Sequence, residues 1–138
     1  MEQMENSTIL IVEDDTDLRE GLAFSLKSEG YLIETASTQK AAWRSFREKS
    51  LDLVLLDCNL PDGSGFDFCT KVKKIRDLPI LMLTARDTEM DEVQALELGM
   101  DDFMSKPFSL AVLKARIKKL LQKAKPQMQL LSGGIRID

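Results

Sequence analysis

The chain has 138 residues, 43% of them hydrophobic and 30% charged, with a formal net charge of −4 and no histidine. That length suits one domain with a proper core plus a short tail, and the composition is that of an ordinary soluble globular protein. The missing histidine excludes a His-based catalytic triad and a His-ligated metal, the acidic balance argues against this segment gripping nucleic acid by itself, and no apolar run approaches the ~20 residues that span a membrane.

After a polar, loose start from Met1 to Asn6, Thr8-Ile9-Leu10-Ile11-Val12 reads as a strand buried on both faces, and it runs straight into Glu13-Asp14-Asp15. Asp15 or Thr16 caps the helix that follows, with Leu18, Leu22, Ala23 and Leu26 as its apolar stripe and Gly30 at its end. Tyr31 to Ala36 reads as a strand. Thr38 to Lys49 reads as a helix packing Ala41, Ala42, Trp43 and Phe46, the two aromatics being core residues rather than a cofactor box. Leu53-Val54-Leu55-Leu56 is a continuous apolar strand that breaks into Asp57, and Pro61, Asp62 and Gly63 supply turn chemistry behind it. Phe66 to Ile75 forms a helix behind Gly63 and Gly65. Leu78 to Leu83 is a strand that tolerates Pro79 among its first residues and ends at Thr84-Ala85. Thr88 caps a helix running through Val93, Leu96 and Leu98 to Gly99. Asp102 to Ser105 is a short last strand ending at Lys106-Pro107-Phe108, and Ser109 caps a final helix with Leu110, Leu113, Ile117, Leu120 and Leu121 on its inner face. Gln122 to Met128 has linker composition, and Gln129 to Asp138 reads as the opening strand of a further unit. Cys58 and Cys69 have no metal-ligand spacing and read as reduced thiols of a cytoplasmic protein.

Strands and helices alternate five times. This predicts an α/β fold, a doubly wound five-stranded parallel sheet of order 2-1-3-4-5 with five helices. Strand ends of one sense share one edge of such a sheet, so Glu13 and Asp14, Asp57, Thr84 and Lys106 are expected to meet where the winding reverses. Taken singly each has another reading: Asp57 as the start of a loop, Asp14 as a helix cap, Thr84 as a strand end, Lys106 as a surface charge. Together, three crowded carboxylates call for a cation, and a hard divalent ion such as Mg²⁺ suits oxygen ligands. Asp14, Asp57 and the carbonyl of Asn59 are the expected direct ligands, with Glu13 acting through water. Lys106 is a point charge suited to a phosphoryl oxygen and the Thr84 hydroxyl a donor, a set that fits transfer of a phosphoryl group onto Asp57.

The motifs Val12-Glu13-Asp14-Asp15, Leu56-Asp57-Cys58-Asn59-Leu60-Pro61-Asp62-Gly63-Ser64-Gly65, Leu83-Thr84-Ala85 and Ser105-Lys106-Pro107-Phe108 resemble the receiver domains of two-component response regulators, over about Ser7 to Lys123. A chemotaxis receiver is the standard example of this strand order. The resemblance implies a flavodoxin-like receiver domain over residues 7–123, with Asp57 the phosphoacceptor, charged from a histidine on a separate sensor histidine kinase. It also implies that Glu13 and Asp14 are the acidic pair, that Ala85 stands beside Thr84 at the phosphoryl-binding edge, and that Phe103 is the switch aromatic. Gly99-Met100-Asp101-Asp102-Phe103 and the tail Gly134-Ile135-Arg136-Ile137-Asp138 resemble the subfamily with a C-terminal winged-helix DNA-binding domain, the OmpR/PhoB type. Residues 124–138 are then a linker and the start of that missing domain, through which alone DNA would be bound to regulate transcription.

In that subfamily the helix behind Thr88, the last strand and the last helix pair two receivers about a two-fold axis on phosphorylation. Asp102 with Arg116, and Glu97 with Lys118, stand at matching positions. Glu92 and Val112 depart from the pattern, which usually has a basic residue and an acid there; all these charges also read as a solvated helix surface. Asn59 and Arg86 flank the pocket, where they would tune the lifetime of the phosphate. The reading is a regulatory domain, not an enzyme. An aspartyl-phosphate-type phosphatase needs a second acid two residues after the nucleophile, where this chain has Asn59. A flavin-binding protein of the same topology would want a phosphate-cradling Ser/Thr/Gly loop, and a receiver that works without phosphorylation would not need the full acid, Thr and Lys set.

Overall fold

Leucine, isoleucine and valine runs build the centre of the molecule. A computed structural model describes residues 7–84, 93, 97 and 99–124. The strands are β1 (Thr8–Val12), β2 (Leu32–Ala36), β3 (Leu53–Asp57), β4 (Ile80–Thr84) and β5 (Asp102–Ser105). All four pairings are parallel, in the order β2-β1-β3-β4-β5, as the alternation predicts. The registers Ile9↔Leu53 and Val54↔Ile80 keep the strand ends level, so Val12, Asp57, Thr84 and Ser105 finish along one edge. The winding reverses between β1 and β3, and there two neighbouring strand ends splay their following loops apart.

Among the described residues, the helices with both ends defined are α1 (Thr16–Ser28), α2 (Gln39–Glu48), α3 (Gly65–Ile75) and α4 (Leu110–Ala124), and they cover the two faces. Successive side chains in a strand point to opposite faces. Leu10, Val12, Val54, Leu56, Ile80 and Met82 therefore meet Ala42 and Phe46 of α2 and Phe68, Cys69 and Val72 of α3. Ile9, Ile11, Leu53, Leu55, Leu81 and Leu83 meet Leu22 and Leu26 of α1 and Leu113, Ile117, Leu120 and Leu121 of α4. Each such buried side chain contributes roughly 1.5–3 kcal/mol. Trp43 stacks on Phe46 at 5.3 Å and meets Phe68 edge-on at 6.3 Å, joining α2 to α3.

The caps follow the sequence: Asp15 Oδ1 accepts from Leu18 N, Thr38 Oγ1 from Ala41 N and Ser109 Oγ from Val112 N. Gly30, with φ of 100°, follows the end of α1. Several details differ from the sequence reading: β4 begins at Ile80, so that Leu78 and Pro79 precede it, and it includes Thr84. Leu110 is 38% exposed, as the first residue of α4. Tyr31 is buried but precedes β2. The turn after β3 contains a short antiparallel ladder, Asn59–Leu60 against Gly63–Ser64. Val93 and Glu97 are helical; the rest of the helix expected behind Thr88 lies outside the described residues, as do Ala85, Arg86, Glu92 and residues 125–138. Among the described residues no helix is long and apolar enough to cross a membrane.

Candidate metal centre

The carboxyl edge of the sheet gathers charge. Glu13 follows β1, Asp57 ends β3 and Lys106 follows β5, so three parallel strands each deliver one ionisable group to the same edge. Glu13 is 1% exposed and Asp57 4%. Asp14 is exposed. One carboxylate oxygen from each of Glu13, Asp14 and Asp57 lies within 4.8 Å of the others.

Lys106 Nζ donates to Glu13 Oε1 at 2.8 Å and stands 3.6 Å from Asp57 Oδ2. The other Glu13 oxygen accepts from Asp15 N at 3.1 Å, and the Glu13 carbonyl accepts from Arg19 Nη1 at 2.7 Å. Both Glu13 oxygens are thus engaged. Asp57 Oδ1 accepts from Asn59 N at 3.1 Å. Burial pushes the Asp57 carboxyl up to about 6; the Asn59 N–H pulls it back, Glu13 pushes it further up and Lys106 pulls it down. Burial lowers the affinity of Lys106 for its proton, but the Glu13 hydrogen bond and the Asp57 charge more than offset this, leaving the ammonium above the usual lysine range.

Three carboxylates against one ammonium leave two negative charges in excess when Asp57 is ionised. A divalent cation would balance that excess. The donors are all hard oxygens, and the exposed Asp14 leaves the site open to water, which fits Mg²⁺ and its habit of retaining several waters.

Thr84 is fully buried at the end of β4, and its carbonyl accepts from Lys106 N at 2.6 Å, fastening the two strand ends together. The Lys106–Pro107 peptide is cis. Phe103, paired with Met82 across β4 and β5, is half-buried and packs with the cluster under α2 and α3. Asp102 Oδ1 accepts from Arg116 Nη1 at 3.0 Å within the same chain, and the same nitrogen donates to the Phe103 carbonyl at 3.1 Å. Glu97 and Lys118 are exposed. Sequence reasoning missed Arg19, whose bond to a backbone carbonyl leaves no pattern in the sequence. It also missed the reason for Gly65: a Cβ there would collide with the Asp57 carbonyl oxygen and stand 3.3 Å from Cys58 Cα.

The sequence model of the response regulator receiver domain matches residues 9–118. The chain is 40% identical over 129 residues to the sensory transduction protein RegX3 of Mycobacterium tuberculosis, covering 94% of this chain and 57% of that protein. It is 40% identical over 133 residues to the transcriptional regulatory protein BasR of Escherichia coli, covering 94% of this chain and 60% of that one. The chain therefore spans little more than half the length of these curated relatives. Its fold matches the crystal structure of a CheY-like response regulator receiver domain protein from Methanospirillum hungatei with a TM-score of 0.85 at 29% identity, covering 88% of this chain and 98% of that one.

Proposed function

The chain belongs to the response regulator receiver domain family, and from that premise we propose that it is a cytoplasmic phosphoacceptor in which Asp57 takes a phosphoryl group from a histidine of a sensor histidine kinase. The observation that carries this is the pairing of a buried Asp57 at the end of β3 with Lys106 3.6 Å away, beside Glu13 and Asp14. One Asp57 oxygen attacks phosphorus in line; the new O–P bond forms as the bond to the donor nitrogen breaks, and the donor leaves with that electron pair. Lys106 turns from Glu13 toward a phosphoryl oxygen, which places its charge where negative charge gathers. Asn59 N holds the other Asp57 oxygen and fixes the direction of attack. Asp14, Asp57 and the Asn59 carbonyl would hold Mg²⁺, with Glu13 linked through water, and the bound ion would offset phosphoryl charge. Residues 7–123 form the receiver in this reading, with 124–138 leading to a DNA-binding domain.

The modified Asp57 carries added charge and new acceptor oxygens at the edge of β3. Thr84 is the donor that turns to them, and Phe103, only half-buried, is free to follow into the space this leaves. The signal then reaches the face formed by the helix that carries Glu97, β5 and α4, where Asp102, Arg116, Lys118 and Glu97 would pair two phosphorylated chains. Asp102 and Arg116 already bond within one chain, so pairing across a two-fold axis requires them to exchange partners. The test is incubation of the full chain with Mg²⁺ and acetyl phosphate, read by intact mass. One added phosphoryl group, absent in Asp57→Asn and absent with EDTA, is expected; labelling of Asp57→Asn to the same extent overturns the reading.

A further inference from the structure

The short ladder after β3 joins two parts of the molecule. Asn59–Leu60 pairs antiparallel with Gly63–Ser64, leaving Pro61 and Asp62 at the turn. The base of this hairpin is tied to Asp57: Asn59 N donates to Asp57 Oδ1 at 3.1 Å and Gly65 N to the Cys58 carbonyl at 2.8 Å. Its tip is tied to α2. Gln39 N donates to Asp62 Oδ1 at 2.8 Å, Lys40 N to Asp62 Oδ2 at 3.1 Å, and Gln39 Nε2 to the Asp62 carbonyl at 3.3 Å.

Helices begin with N–H groups that no intrahelical carbonyl can satisfy. In α2, Ala42 N makes the first intrahelical bond, to the Thr38 carbonyl, and the Thr38 hydroxyl takes one of the unsatisfied donors, Ala41 N, both at 3.0 Å. Asp62, 23 and 22 residues away from Gln39 and Lys40, takes the two outer ones. The start of α2 is thus completed from the loop that carries Asn59. These bonds, that from Gln39 N first, hold the Asp62 carboxyl below the usual carboxylate range. Asp62 also lines one cleft with Gln39, Lys40, Trp43, Phe68 and Lys71, so the hairpin tip is seated where α2 and α3 meet.

We propose that Asp62 is a positioning residue for the metal and phosphoryl site: by fastening the hairpin tip to α2 it holds the Asn59 backbone beside Asp57. The inference rests on the reading above, in which the Asn59 carbonyl is a ligand. Asp62 itself touches neither Asp57 nor Lys106; it acts through the backbone between them.

The experiment titrates MgCl₂ into the full chain by calorimetry, and separately follows acetyl phosphate labelling against Mg²⁺ concentration. Asp62→Ala is expected to raise the Mg²⁺ dissociation constant about tenfold, the scale seen when groups that orient metal ligands are removed. Saturating Mg²⁺ restores its labelling rate, since Asp57, Lys106 and Thr84 are untouched. Thr38→Ala weakens the same helix end without freeing the hairpin, and moves the constant less than about twofold. Asp62→Asn, which keeps an acceptor oxygen, falls between and serves in place of Asp62→Ala if that variant does not fold. Equal shifts in Thr38→Ala and the Asp62 variants, or no shift in either Asp62 variant, overturn the positioning role. A parent chain that binds no Mg²⁺ overturns the functional reading on which it rests.

Discussion

Lys106 Nζ donates to Glu13 Oε1 at 2.8 Å across 93 residues of sequence, while the nearest Asp57 oxygen stands at 3.6 Å. The lysine is therefore held by the acid next door to the proposed acceptor. This leaves Asp57 under-compensated in a buried setting, and its raised pKa follows from that burial. A cation or a proton each relieves that tension, whereas a phosphoryl group adds charge and so increases the need for the cation and for Lys106.

The first prediction concerns pH and stability. Asp57 binds its proton more tightly in the folded state, with a pKa of about 6 against an ordinary 3.8. Ionised Asp57 therefore costs stability above about pH 6, the cost shrinks as pH falls through that value, and it is gone below the unfolded pKa. Asp57→Asn is expected to be more stable than the parent by about 1–3 kcal/mol near pH 8, with the gap closing toward pH 4. Denaturant unfolding across this range measures it, and a gap that widens on acidification contradicts the assignment.

Metal binding draws on the same repulsion. Added Mg²⁺ is expected to raise the melting temperature of the parent and to leave Asp57→Asn little changed, with the effect fading below about pH 6 as Asp57 protonates. Differential scanning calorimetry at two pH values checks this.

Removing the lysine strands its partner. Lys106→Ala takes from the Glu13 carboxylate, in a residue only 1% exposed, its one cationic hydrogen-bond donor among those described above and leaves it the bond from Asp15 N. A loss of about 1.5–3 kcal/mol is expected, the scale of a hydrogen bond to a charged group. The loss shrinks in Lys106→Ala/Glu13→Gln, where no buried charge is abandoned; a double variant as weak as the single one argues that packing, not charge, is at stake.

Two glycines make a paired test. Gly65→Ala drives a Cβ into the Asp57 carbonyl oxygen, with the Asp57 carbonyl carbon at 3.2 Å, so backbone has to move and a destabilisation of about 1–3 kcal/mol is expected together with slower labelling. Gly21 lies within α1 with nothing within 4 Å of its Cβ position, so Gly21→Ala is expected to stabilise by about 0.5–1 kcal/mol at unchanged labelling. Thermal unfolding and labelling of the two variants side by side decide the matter.

Much of this molecule is legible along the chain because hydrophobic burial is periodic and local. Ile9-Leu10-Ile11-Val12 and Leu53-Val54-Leu55-Leu56 are apolar at every position, which only strands covered on both faces require, and their alternation with helices leads to the parallel sheet. Once the sheet is parallel, Glu13, Asp57, Thr84 and Lys106 fall on one edge as a matter of topology. What the chain could not disclose is which polar atoms finally meet. That Lys106 stands closer to Glu13 than to Asp57, that Asp102 bonds Arg116 within the chain, and that Asp62 completes the start of α2 instead of merely turning the chain depend on placements accurate to a fraction of an ångström. Leu110 shows the same limit for packing: its spacing matches the inner stripe of α4, but its place at the mouth of the helix leaves it in water. Sequence sets the period and hence the layers and the edge; the distances within that edge exist only after the strands are stacked, because hydrogen bonds are short-ranged and directional while burial is not.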